Sequence, residues 1–315
     1  EVIPIKYDDL GFWGNNLIAV NIGAKEVDYL LEGGKWGYCN TKGIVTIPLQ
    51  FDKAYPFFEG VAAVKIGKKW GFIDTTGKMI IAPAYDDVRI FHNGLCAVAT
   101  NEKWGFINKE GKVVIKPEYG ELYEFDNGVA RAYVGEKVNE DTGEESNGAY
   151  CLNNEKGERI TEPVFAMIWN FSEGLAKVEV ASKDNKYDRK CGFINAKGEV
   201  IVQPIYDVAD DFSDGMAAVG YRYDSHDYKY GYVNAQGEEV IKPQYNRTEK
   251  FRKGRAVVVK GRQGSVHMID LGPDNRILNH ENLPKCALIN KKGEFILGFD
   301  WGQLSPIEND LYIAS

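Results

Sequence analysis

One spacing recurs seven times along this chain and constrains its fold more than any other feature. With Trp36, Trp70, Trp104, Tyr150, Cys191, Tyr230 and Cys286 aligned, a glycine follows seven residues later in every copy: Gly43, Gly77, Gly111, Gly157, Gly198, Gly237 and Gly293. Eight residues further on stands an aromatic: Phe51, Tyr85, Tyr119, Phe165, Tyr206, Tyr245 or Trp301. Six beyond it come Phe57, Phe91, Phe125, Phe171, Phe212 and Phe251, with Ile307 in the last copy, and three more residues reach Gly60, Gly94, Gly128, Gly174, Gly215 and Gly254, with Asp310 last. Each copy thus keeps 25 positions from the Trp site to the second glycine. The N-terminus carries only the second half, as Tyr7, Trp13, Asn16 and then LIAV. A unit this short cannot bury its own faces, so the copies must stack on one another.

Each copy reads as three short antiparallel strands. The KWGFID type is the first; a glycine turn such as TTGK reverses the chain into the second, as in MIIAP from Met79. Glycine supplies the positive φ that such a hairpin loop requires. Proline (Pro48, Pro83, Pro117, Pro163, Pro204, Pro243) then ends or edges the second strand, because it cannot donate to a ladder. The second glycine turns the chain into a third strand such as VAAV or LCAV, apolar on both faces and so covered on both. The glycine after each Trp leaves room for a neighbouring ring or backbone.

Only the link from the second glycine to the next Trp site varies. It spans 10 residues from Gly60 and from Gly94, but 22 from Gly128, 17 from Gly174, 15 from Gly215 and 32 from Gly254. The last of these holds SVHMID and DNRIL, which suit an extra degenerate hairpin. The expected fold class is all-β, with tandem repeats in an open superhelical β-array favoured over a closed β-propeller, because the two ends do not complement one another as the halves of one blade. The expected organisation is one repeat domain, 1–315, with a partial repeat at 1–34 and repeats at 35–68, 69–102, 103–148, 149–189, 190–228, 229–284 and 285–315.

Composition removes several functions. A net charge of -8 opposes nucleic acid, and no apolar run reaches the length of a membrane span. The five cysteines, Cys39, Cys96, Cys151, Cys191 and Cys286, are scattered, form no CxxC pair, and mostly replace packed apolar residues of other copies, so buried reduced thiols are expected. The chain opens at Glu1; a bacterial envelope or secreted location is expected if a signal peptide preceded it, and the cytoplasm otherwise.

The pattern KWGFID, then glycine, P.YD and F..G.A.V, resembles the bacterial WG-repeat family, also called KWG repeats, over nearly the whole chain. Trp36-Gly37, Trp70-Gly71 and Trp104-Gly105 carry it, with Cys191-Gly192 and Tyr230-Gly231 as variants; Tyr150-Cys151 and Cys286-Ala287 depart from it. The resemblance implies a bacterial repetitive β protein with a scaffold or interaction role, since the family has no common reaction and no established ligand.

No phosphate loop, nucleophile elbow or histidine-containing triad is present, so no catalytic, cofactor-binding or metal-ligating residue is expected. His92 reads as a solvent-facing turn residue. The Tyr-Asp and Phe-Asp pairs, and the doublets Asp86-Asp87 and Asp210-Asp211, read as turn carboxylates that accept backbone N–H groups. Glu136, Glu140, Asp141, Glu144 and Glu145 form an acidic link without calcium-loop spacing. Asn246-Arg247-Thr248 has the form of a glycosylation sequon that arises by chance. The expected function is a noncatalytic scaffold that binds a protein or surface polymer through inserted loops on one edge, with Tyr187, Tyr223, Tyr228, Arg222 and Lys186 as partner-binding residues. The alternatives are a hydrolase-type enzyme with Asp184, Asp188, Asp224, His226 and Asp227 in its site, and a structural spacer of a larger protein.

Overall fold

The computed structural model describes residues 7–135, 148–182, 187–224, 227–261, 268–270, 276–278, 284–301, 304–306 and 312–314. They contain strands and turns and no helix. The chain divides into two compact units, Glu1–Pro163 and Val164–Ser315.

The first unit holds four antiparallel sheets. The first sheet joins Asp9–Gly14, Leu17–Val27, Leu30–Asn40 and Val45–Phe51; the second joins Lys53–Ala54, Val61–Ile66, Lys69–Asp74 and Met79–Tyr85. Asp87–Val88, Leu95–Thr100, Lys103–Asn108 and Val113–Tyr119 make the third, and Glu121–Leu122, Val129–Val134 and Ala149–Asn154 the three-stranded fourth. In the second unit the fifth sheet joins Met167–Ser172, Leu175–Ala181, Arg189–Asn195 and Val200–Tyr206, and the sixth Val208–Ala209, Met216–Arg222, Tyr228–Asn234 and Glu239–Tyr245. The seventh joins Arg247–Thr248, Arg255–Lys260, Lys285–Asn290 and Phe295–Trp301. None of these sheets closes into a barrel. The long link after Gly254 does form a small hairpin, Met268–Asp270 with Arg276–Leu278, and Leu304–Pro306 pairs with Tyr312–Ala314.

The all-β reading and the tandem antiparallel repeats hold, with two differences. A two-residue strand follows each Tyr-Asp position in most copies, as at Lys53–Ala54, in addition to the three expected. Each four-stranded sheet also takes its first two strands from the end of one sequence repeat and its last two from the start of the next, so sheets and repeats are half a unit out of phase. The N-terminal fragment therefore completes a full sheet with the first half of the next copy.

Three local devices recur through the sheets. The Asn or Asp that ends the KWG strand caps the hairpin turn: Asn108 Oδ1 accepts the Glu110 and Lys112 N–H groups, and Asp74 does the same for Thr76 and Lys78. Gly77 completes that turn at a φ of 86°. The glycine after Trp lies where the outer strand bends inward at its proline: a Cβ on Gly71 would stand 2.6 Å from the Ile81 carbonyl oxygen. The neighbour that the glycine admits is backbone, and wherever the outer strand carries the proline it is an edge strand of its four-stranded sheet.

The fourth copy lacks that glycine and also lacks a full outer strand. Cys151 occupies its place, and no outer strand pairs with Ala149–Asn154 beyond a single bridge from Asn153 to Arg159. The Leu152 N–H turns to the Thr161 hydroxyl at 3.0 Å instead of a full ladder. Ala287, at the same position in the last copy, retains its outer strand.

Packing joins consecutive sheets within each unit. An aromatic two residues after the Trp site meets the phenylalanine of the following turn: Tyr38 with Phe57, Phe72 with Phe91, Phe106 with Phe125, Phe193 with Phe212 and Tyr232 with Phe251, all with centroids 4.7–5.2 Å apart. Where the ring is tyrosine its hydroxyl finds a backbone carbonyl, as Tyr38 donates to Tyr55 O at 2.7 Å and Tyr232 to Glu249 O at 2.6 Å. The VAAV strand is buried on both faces. Trp70 is 3% exposed, with the Tyr55 ring 4.7 Å away, whereas Trp104 stays half-buried because the Arg89 guanidinium covers its ring in place of an aromatic.

Candidate functional site at the link edge

The turn carboxylates organise the edge on which the links lie. Asp52 accepts the Lys35 ammonium at 2.5 Å and the Gly67 N–H at 2.6 Å, so it ties the start of one KWG strand to the end of the next sheet's VAAV strand. Asp86 repeats this with Lys69 and the Asn101 N–H, and Asp207 with Lys190 and the Arg222 N–H. Asn246 does so with Lys229 and the Gly261 N–H, so the sequon asparagine spends its side chain on the fold. These aspartates thus have the turn role read from the sequence. Asp52 is held below the usual carboxylate range by Lys35 and then by the Gly67 N–H. Burial opposes ionisation of Asp207, but the Arg222 N–H and Lys190 outweigh it and its pKa is also lowered.

On this frame the insertions in the second unit extend hairpins beyond the sheet body. Ala181 pairs with Arg189, and the Ser182 N–H donates to Asp188 O at 2.7 Å; Arg222 pairs with Tyr228, and the Tyr223 N–H donates to Asp227 O at 2.8 Å. Between them lies a cleft of about 580 Å³ lined by Glu179, Tyr187, Asp188, Arg189, Asp207 and Arg222. Tyr187 is 69% exposed at its rim. The Arg222 guanidinium donates to the Tyr228 hydroxyl at 3.3 Å and lies over that ring at 5.7 Å. Arg189 pairs with Glu179 at 3.5 Å.

The structure therefore brings together Tyr187, Arg222 and Tyr228. Tyr223, 70% exposed, lies outside the cleft lining and has the Lys229 ammonium 5.5 Å from its ring. Lys186 lies outside the described residues, as do Asp184 and His226. Of the other carboxylates weighed for hydrolysis, Asp188 faces the cleft, while Asp224 accepts the Asp227 N–H at 3.0 Å and shapes its own turn. Among the described residues no three His, Cys, Asp or Glu side chains are grouped to hold a metal ion. The acidic residues Glu136 to Glu145 fall outside the described segments. His92 is exposed in its turn.

One insertion escaped the sequence reading. From Asn16 to Trp36 is 20 residues, twice the short link, and the excess builds a long hairpin from Leu17–Val27 and Leu30–Asn40. Its turn is Asp28-Tyr29, both at positive φ, and Tyr29 is 95% exposed, Leu30 66% and Leu31 50%. At its base is a second cleft of about 490 Å³ that includes Asn21, Leu31, Trp36, Asp52 and Tyr55. The link length was the available signal, hidden because Asn16 replaces the glycine from which the other links are measured.

The model of the WG containing repeat matches residues 1–25, 36–70, 70–104, 104–137, 154–187, 192–221 and 230–262, more than half of the chain. No curated protein matches the sequence. Among solved structures, the chain is similar to a eukaryotic initiation factor at 10% identity, over 93% of this chain and 77% of that one, with a TM-score of 0.42. It is also similar to the β-propeller domain of the Trilobed protease from Pyrococcus furiosus at 12% identity, over 93% and 96% of the two chains, with a TM-score of 0.34.

Proposed function

Because the chain belongs to the family of WG-containing repeat proteins, we propose that it is a noncatalytic scaffold that binds a protein or surface polymer through the inserted loops of its link edge. The observation that carries this reading is the cleft between the two extended hairpins of the second unit, with Tyr187 at its rim and Arg222 braced by Tyr228. Exposed tyrosines beside a positioned arginine are the usual material of binding hot spots. The described parts of the insertions extend hairpins at the edge, and loop length costs little stability.

The test is a variant in which both hairpins are cut back to the two-residue turn found at Gly67-Lys68. A photo-crosslinker at position 187 of the intact chain, and at the matching position of the trimmed one, reports capture from extracts of the native host. The expected result is capture by the intact protein only, with unchanged far-ultraviolet circular dichroism. Equal capture by a folded trimmed protein would place binding elsewhere.

A further inference from the structure

The two clefts occupy the same positions of the repeat. Asn21 pairs across its sheet with Trp36, and Glu179 pairs likewise with Cys191, which holds the Trp site of its copy. Glu32-Gly33 and Tyr187-Asp188 stand at equal distances before those sites and wall the two clefts. Asp52 and Asp207 supply the third wall, each locked by a lysine and a backbone N–H. The second sheet acts as an internal control. Its link is only the Gly67-Lys68 turn, and Lys65, at the position of Asn21 and Glu179, lies over the Trp70 ring at 5.6 Å. There the lysine lies over the ring, and no inserted hairpin walls the position.

We infer that each unit carries one sugar-binding cleft, at this same repeat position, for the neutral pyranose units of a polysaccharide. The inference rests on the reading above, names the polymer class, and adds a site in the first unit. Pyranose rings present hydroxyls at their edges and C–H groups on their faces. They are therefore held by planar hydrogen-bonding side chains beside aromatic rings. The clefts provide that combination. In the first, Tyr55 is fixed by its stack on Trp70 at 4.7 Å, with Trp36 and Leu31 beside it. Asn21, 1% exposed, holds its amide nitrogen on Gly33 O at 3.1 Å, while its Oδ1 has no hydrogen-bond partner in the protein. In the second cleft Glu179, Asp188, Arg189 and Arg222 provide planar acceptors and donors, and Tyr187 the ring. Both volumes, about 490 and 580 Å³, fall in the range of small-ligand sites. The net charge of -8 disfavours a polyanion, and the pairing of Asp52, Asp207 and Glu179 with Lys35, Lys190 and Arg189 disfavours a polycation.

The experiment is calorimetric titration of the intact protein with cellohexaose, maltohexaose and chitohexaose. At least one should bind with two sites per chain. Leu31→Asp, a change to an exposed side chain, should remove one site, and Tyr187→Ala with Arg222→Ala the other; Tyr55→Ala, if it folds, should match Leu31→Asp. No binding of any of the three at millimolar concentration overturns the inference. So does one site that Leu31→Asp leaves intact, although the reading of the second unit's loop edge then stands. Crosslinking of a protein at position 187 without any sugar binding likewise overturns this inference alone.

Discussion

Gly71 and Trp70 are adjacent and fail in opposite ways when changed. Trp70→Ala opens a cavity beneath the Tyr55 ring and should cost roughly 3–5 kcal/mol. Gly71→Ala forces a methyl group against the Ile81 carbonyl and should cost roughly 1–3 kcal/mol by overpacking, with the loss concentrated in the outer strand. Urea denaturation of both variants checks the two values. Trp104→Ala should cost less than Trp70→Ala, because Trp104 is already half-buried. The five cysteines are also packing residues: all are buried and none is in a disulfide. Burial pushes the Cys96 thiol up to about 12 and the Cys191 thiol up to about 11. Thiol titration should therefore find five groups at once in denaturant and react slowly with the folded protein at neutral pH. Fewer than five in denaturant would reveal a bridge.

At the scale of elements, turns are stitched to turns. Glu59, in its own turn at a φ of 51°, accepts the Asn93 and Gly94 N–H groups of the next sheet's turn and the Lys109 ammonium. Glu173 does the same for Asp214 and Gly215, and Asp214 for Gly254 and Lys291. Glu59→Ala should cost roughly 1 kcal/mol, since the pair is partly solvated. Amide exchange should quicken at Asn93 and Gly94 before it does in the strands. Much of this layer was legible beforehand. Seven equal spacings identify strands, turns and the variable link, because a turn glycine and a packed ring tolerate no shift. The phase of the sheets was not legible: a period gives the repeat length but not where the hydrogen-bonded group begins. The fourth copy departs at Cys151 and lacks its outer strand, but Ala287 departs at the same position and keeps one, so the missing glycine alone does not account for the loss. For the candidate site, link length pointed to the edge that carries the inserted hairpins. Which tyrosines share a cleft depends on how each hairpin twists, so Tyr187 and Tyr223 could not be told apart.

For the whole molecule, these partnerships set a pH window. Asp52, Asp86, Glu59 and Asp214 have depressed pKa values, chiefly from their lysine partners, and Asp207 is depressed despite its burial. A depressed carboxylate contributes stability above its unfolded pKa, about 4, and loses it as pH falls through the folded value. Burial raises the pKa values of Tyr38, Tyr150, Tyr206 and Tyr232 and of the thiols Cys96, Cys151 and Cys191. The Asp207 hydrogen bond raises that of Lys190. The sign is now reversed. Their contribution is complete below the unfolded values, about 8.5 for the thiols and about 10 for tyrosine and lysine, and is lost as pH rises through the folded ones. Stability should therefore form a plateau between roughly pH 5 and 8, with an acid limb from the turn carboxylates and an alkaline limb that begins with the cysteines. Melting temperatures across this range test both limbs. In a variant with Cys96, Cys151 and Cys191 replaced by Ala, the start of the alkaline limb should move up to about pH 10, where tyrosine and lysine take over. An unchanged limb would show that the thiols do not set it.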